Sequence, residues 1–293
     1  GKTEIAAGGT LTCNGSTCLF NSTGTAGGIV FTANGGTFTA DADSTITYGS
    51  IWCYNGSSVT FSAAGTNTVN SYFGADVVRF TTNSVDVNTN VTITLTGTNN
   101  KKLFFGDTSI VNVTLTPTSA TTYLLGDDGH SEISGNLTIN QYATLNTQIS
   151  GTDKNLTVTG GVSGAGTLTT NASAISFGYL TMSGTYNATT DSSGTILTSR
   201  SGPGAQLLMD AADIVHNNGY FVFKGAAGGA SYIGLNGASD ATNGIYNVEI
   251  HASGRTVNIS AYNLSIHNNL YVTIGTLDTT TLDLTVTGAI DIT

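Results

Sequence analysis

The chain has 293 residues, a formal net charge of −10 and only 9% charged residues. Its eight Lys and Arg, of which only Lys101 and Lys102 are adjacent, exclude the clustered basic surface that nucleic acids and anionic membranes require. No apolar run approaches the roughly 18 residues of a membrane-spanning helix, so membrane insertion is not expected. The surface must instead be covered by Gly, Ser, Thr and Asn. The 52 threonines suit the pleat of a strand, and Gly and Asn supply the positive-φ positions of tight turns. With 23 Tyr and Phe residues and clean alternation in many places, the chain is not disordered in composition.

Residues 1–60 read as short strands between Gly-rich turns, as at Gly28-Ile29-Val30-Phe31 and Thr45-Ile46-Thr47-Tyr48. This stretch is expected to form an N-terminal cap or the first coils, because terminal repeats are atypical. It holds all three cysteines. Cys13 and Cys18 enclose a five-residue step that a disulfide could close, and Cys53 is the competing partner for either. Four ligands at metal spacing are missing, so no zinc site is expected.

Residues 61–293 carry the repeat. Asn136-Leu137-Thr138-Ile139 and Asn155-Leu156-Thr157-Val158 are copies of one phrase, with variants starting at Asn90, Asn112, Asn247, Asn263 and Asp283. A short strand recurring at about 20 residues predicts an all-β chain, a parallel β-helix or solenoid whose coils cannot bury their apolar sides alone. The period of two sends Leu137 and Ile139 inward, and Asn136 and Thr138 outward. The stretch 186–245 is less regular. There, Ala205 to Val215 predicts strand–turn–strand in preference to a helix, since it lacks an N-cap and runs into His216-Asn217-Asn218-Gly219. The last segment, Ala289 to Thr293, alternates like a strand and shows no polar cap, as expected of a piece cut from a longer repeat protein or of an end that pairs with another strand.

Eleven Asn-X-Ser/Thr sequons occur, at Asn14, Asn21, Asn55, Asn90, Asn112, Asn136, Asn155, Asn171, Asn187, Asn258 and Asn263. Composition alone accounts for most of them, yet the alternation turns those of the repeated phrase outward, so N-glycosylation is sterically open. Asp127, Asp128 and Glu132 form the densest polar cluster and a weak Ca²⁺ candidate. They lack the spaced carboxylates of a calcium loop, and a solvated turn is the plainer reading. Asp41 and Asp43 are a weaker pair of the same kind. Asp210, Asp213 and His216 could be imagined as acid, base and ligand, with nothing to fix their geometry. No phosphate loop or nucleophile elbow is present. With three Glu, three Arg and an acidic balance, the chain offers few parts for a polysaccharide-active β-helix enzyme. No catalytic residue, metal or cofactor is expected.

Tyr246-Asn247-Val248-Glu249-Ile250, Tyr262-Asn263-Leu264-Ser265-Ile266, Gly275 to Thr279 and Leu284 to Gly288 resemble repeat segments of large bacterial and archaeal cell-surface proteins. His216-Asn217-Asn218-Gly219, with Phe221, Phe223 and Gly225 after it, looks like another phrase of that group. The resemblance covers about residues 200–293 and more loosely 90–185. It implies a β-helical, adhesin-like or filament-forming protein, secreted or at the cell surface, and carries over no catalytic residue. The expected function is structural: self-assembly into a filament or layer, the chain's main partner being its own copies. The contact would use the strand edges around Ile5 and around Ile290 and Ile292. A monomeric adhesin or stalk that binds glycans is the alternative reading.

Overall fold

The computed structural model describes Gly9 and the strands among residues 1–111, and all of 112–293 except 127–129, 199–203, 226–230 and 280–281. The regular structure of the described residues is strand, in parallel ladders apart from the antiparallel pair Gln148–Ile149 and Thr152–Asp153, with one 3-10 turn at Ala211–Asp213. None of their helices is long and apolar enough to cross a membrane. The fold is a parallel β-solenoid, as the repeat predicts. Two compact units divide it, residues 1–155 and 156–293.

In the first unit each coil lays strands on up to three faces. One face stacks Lys2–Ile5, Gly28–Phe31, Ile51–Cys53, Asp76–Phe80, Lys101–Phe104, Thr121–Leu125 and Ala143–Asn146. A second stacks Thr10–Cys13, Thr37–Ala40, Val59–Ala63 and Val85–Val87. The third runs from Thr17–Phe20 to Leu137–Ile139. Strands on both sides of residue 60 pair directly, as in Val59 with Val85. Cys53, Cys13 and Cys18 lie on the first, second and third faces respectively, and their side chains fall outside the described residues.

The alternation read from the sequence decides what is buried. Val113, Leu115, Leu137 and Ile139 are fully buried while Asn112, Thr114 and Thr138 are not. Each such apolar side chain contributes on the order of 1.5–3 kcal/mol when covered on both sides along the stack. The register differs from the phrase in one place. Thr92 pairs with Asn112 and Ile93 with Val113, so the copy starting at Asn90 is offset by two residues. The strand Thr92–Leu95 continues the alternation without using the phrase's own Asn.

In the second unit several strands bend at a bulge and serve two faces. Ile175–Met182, Asn247–Ile259 and Leu270–Asp278 are of this kind. Their first halves stack with Thr195–Leu197, Tyr220–Phe223 and Ile290–Ile292; the second halves of the first two stack with Gly204–Asp210 and Ser231–Asn236, and that of Leu270–Asp278 on Thr256 to Asn258. A third face holds Thr167–Thr169, Thr185–Asn187 and Ile214–Val215, with Leu264–Ile266 on Leu284–Val286. Ala205 to Val215 forms strand, 3-10 turn and strand, as read. The phrases starting at Asn247 and Asn263 lie on different faces. Val248 stacks on Leu270, and Leu264 on Leu284, so their spacing of 16 is not a coil length.

Aromatic side chains fill the middle of this unit. Tyr186 is fully buried between Phe177 and Phe221, both edge-on to it, and its hydroxyl shares a 2.6 Å hydrogen bond with Thr195 Oγ1. A phenol can be buried there only because that partner exists.

Candidate functional site

The stacking of the second unit brings together a groove that no stretch of sequence announces. Three successive turns line it. Leu235, Asn236, Gly237 and Ala238 come from the first, Ala261 to Ser265 from the second, and Leu282 and Thr285 from the third. Its volume is about 570 Å³, within the range of ligand-binding clefts. Leu235 and Leu264 are buried and form its base, whereas Tyr262 stands 42% exposed at its side. Every one of its lining side chains is uncharged.

The groove's wall is built rather than loose. Between Asn236 and Ile245 the chain leaves the strand in a long turn, opened by Gly237 at φ 89°. Ser239 ties this turn to the next coil: its N–H donates to Ser265 Oγ at 3.2 Å and its hydroxyl to the Ser265 carbonyl at 2.7 Å. The same hydroxyl accepts the Ile245 N–H at 2.8 Å. Asp240 closes the far end by accepting the N–H groups of Thr242 and Asn243, which hold its carboxyl below the usual carboxylate range. Ala261, just before Tyr262, has φ 73°, a left-handed conformation costly for any residue with a Cβ.

A second polar group lies on the outer side of the coils ending at Ile292. Glu249 Oε1 accepts the Thr273 hydroxyl at 3.0 Å and lies 3.1 Å from His251 Nδ1. Asn269 Nδ2 donates to the Tyr271 hydroxyl at 3.0 Å, and the rings of Tyr220 and Tyr271 approach to 6.1 Å across the intervening coil. Beneath them Asn247 is almost fully buried. Its side-chain carbonyl accepts both the Asn268 amide and the Asn269 N–H. The tyrosines cover this ladder; burial first, then the hydrogen bond to Tyr271, pushes the Tyr220 hydroxyl up.

The polar residues singled out in the sequence are only partly described. Asp127 and Asp128, and Asp41 and Asp43, lie outside the described residues; Glu132 sits half-buried beside Ile133. Asp210 precedes the 3-10 turn and Asp213 ends it, where desolvation and then the Asp210 charge raise the Asp213 carboxyl. His216 is spent on structure. Its Nδ1 accepts the Asn218 N–H at 2.9 Å, so the proton is on Nε2, which donates to the Asp240 carbonyl at 3.1 Å. The ring is buried against Tyr246 and His267.

The sequons divide in the same way. Asn14, Asn21, Asn55 and Asn90 lie outside the described residues. Asn136 and Asn155 are exposed, and Asn171 occupies a turn at φ 45°. In Asn187, Asn258 and Asn263, the amide nitrogen that a glycan would modify donates to Thr169 Oγ1, the Ser231 carbonyl and Asp283 Oδ2 respectively. Outward-facing asparagines thus bond along the stack. Of the assembly candidates, Ile5 is buried, while Ile290 and Ile292 are 56% and 74% exposed.

Tyr262 and its groove went unread in the sequence because the lining residues come from three turns. An aromatic in a turn between two alternating strands, at Ser260-Ala261-Tyr262-Asn263, was the one available signal. Compared with protein-family models, with curated proteins and with solved structures, the chain matches none.

Proposed function

We propose that this chain is an extracellular structural protein, a β-solenoid subunit that joins copies of itself coil to coil in a surface filament or layer. The observation that supports this reading is the in-register stacking of coils, each pairing its strands with the next. Phe221, Val248 and Leu270 are buried in one column, but Ile290, next in register, is exposed. Phe223 and Ile250 are buried in the adjacent column, and Ile292 at its end is exposed.

The strand Ile290–Ile292 pairs with Leu270–Asp278, and the edge of such a strand is a template for a further strand. A coil of the same kind satisfies both the edge and the columns. In a second copy the matching element is the edge of Lys2–Ile5, which pairs on one side with Gly28–Phe31. Ile5 points into the core, so that contact uses its backbone. The reading assigns the chain no reaction. Negative-stain electron microscopy of the purified chain tests it: filaments or layers are expected, and Ile290→Glu with Ile292→Glu should leave single particles. Monomers in the unsubstituted protein at high concentration overturn the proposal.

A further inference from the structure

We propose that the groove beside Tyr262 binds a neutral oligosaccharide. The inference is independent of self-assembly and rests on the chemistry of the lining. The chain carries a net charge of −10, yet no lining side chain is ionisable near neutral pH. A phosphorylated or acidic ligand would find no counter-charge there, and the nearest carboxylate, Asp283, is bonded to Asn263. What the groove does offer is an apolar base, one exposed aromatic ring, amides and hydroxyls. Asn236, Tyr262 and Thr285 make no side-chain hydrogen bond among the described residues, and Asn236 and Thr285 are exposed. Together they supply two hydroxyls and one amide, groups that both donate and accept. A sugar presents the same combination in complement: hydroxyls around its rim and a flat apolar C–H face for the tyrosine ring.

Shape and rigidity support the assignment. The lining residues come from three successive coils, which at the spacing of adjacent strands places the first and third roughly 10 Å apart. That suits an extended ligand of a few units lying along the stack. The wall is fixed by the three Ser239 hydrogen bonds, so little ordering is needed on binding. Ala261 adds an independent sign. Its left-handed φ of 73° costs on the order of 1–2 kcal/mol that a glycine would avoid, and it turns Tyr262 outward into solvent.

The test is isothermal titration of the whole chain with cellotetraose, maltotetraose and mannotetraose as neutral probes and tetragalacturonate as the charged probe. It is run below the concentration at which light scattering detects polymers. At least one neutral probe should bind, with tetragalacturonate weaker. Tyr262→Ala should weaken that binding roughly tenfold, while Tyr262→Phe, which keeps the ring, should stay within roughly threefold. Far-ultraviolet circular dichroism checks that both variants remain folded. The assignment is overturned if no neutral probe binds, if Tyr262→Ala binds as well as the parent, or if tetragalacturonate binds best. It is also overturned if Tyr262→Ala abolishes self-association and leaves sugar binding unchanged, since the groove would then belong to a second copy.

Discussion

The side-chain carbonyl of Asn112 accepts the backbone N–H of Asn136, one coil later, at 2.9 Å. The same bond joins Asn263 to the N–H of Asp283 at 3.0 Å, and Asn269 to the N–H of Ala289 at 2.9 Å. An asparagine at or just before the start of a strand, as in the phrases starting at Asn112 and Asn263 and outside them at Asn269, is therefore a rung between coils. It binds an N–H that has not yet entered the backbone ladder.

Removing that acceptor should be measurable. Asn112→Ala and Asn263→Ala are expected to cost about 1 kcal/mol each, the usual net worth of one hydrogen bond. Hydrogen exchange should accelerate at the Asn136 and Asp283 amides respectively, and far less at amides two coils away. Asn112→Asp keeps an acceptor oxygen and should retain most of the protection. Uniform loss of protection in both variants would contradict a rung-by-rung role.

Coil-to-coil contact is closest where side chains are absent. A Cβ on Gly184 would stand 2.0 Å from the Gly166 carbonyl oxygen and 2.5 Å from the Ala165 carbonyl carbon, both backbone atoms of the preceding coil. Since neither can swing away, Gly184→Ala must push two coils apart, at a cost of about 1–3 kcal/mol. Gly254, at φ 66°, has nothing within 4 Å of the same position. Gly254→Ala should therefore lose only the roughly 1–2 kcal/mol that left-handed backbone charges a Cβ. Denaturant midpoints of the two variants compare a steric cost with a conformational one. A Gly184→Ala protein as stable as the parent would rule out the tight contact.

Alkaline pH should act through Tyr186. Burial holds its phenol neutral and pushes it up to about 12, the hydrogen bonds from Thr195 and Thr170 opposing only in part. The unfolded chain ionises near 10, so between about 10 and 12 it releases a proton that the folded chain keeps. The stabilisation is complete below pH 10 and disappears as the pH rises through that window. Tyr186→Phe should remove this part of the alkaline loss and lower stability at neutral pH by about 1–3 kcal/mol, because Thr195 is left without its buried partner. Unfolding followed from pH 8 to 12 in both proteins separates the two effects.

The repeat's alternation was legible because it depends on nearest neighbours alone: Leu137 goes in and Thr138 out whatever they stack on. Which copies stack was not legible. Spacing along the chain mixes steps between faces with steps between coils, so the phrases starting at Asn247 and Asn263 look adjacent and are on different faces. Insertions obscure it further. The turn from Asn236 to Ile245 lengthens one coil, and the bulge after His251 shifts another. The Tyr262 groove depends on both, since it exists only where that long turn meets the two coils that follow. The outward side of the repeated phrase, which includes Asn263, was legible, but whether such an asparagine serves a glycan or a polar ladder was open. A sequon motif and an inter-coil hydrogen bond draw on the same residue, and only the register tells them apart.

Acid should act on that long turn through His216. Its ring is buried, and desolvation, the largest influence, together with the neighbouring His267, lowers its pKa below 6.5; the Asp240 carbonyl opposes this. Protonation would also put a proton on Nδ1, where the Asn218 N–H already donates. The folded chain thus resists a proton that the unfolded chain takes up near 6.5, so the stabilisation is full above that pH and declines as the pH falls below it. The groups facing the ring limit the effect. Tyr246 and His267 stack on it, and the Asp240 carboxylate is the one anion close enough to favour the charged form. Because the ring's Nε2–H anchors the Asp240 carbonyl, the first element to loosen should be the turn from Asn236 to Ile245. Hydrogen exchange between pH 7.5 and 5 should show protection falling at Thr242 and Asn243 before it falls at the Tyr186 core. His216→Gln, which cannot titrate, should flatten that dependence. Equal pH dependence in the parent and in His216→Gln would assign the acid sensitivity to other groups.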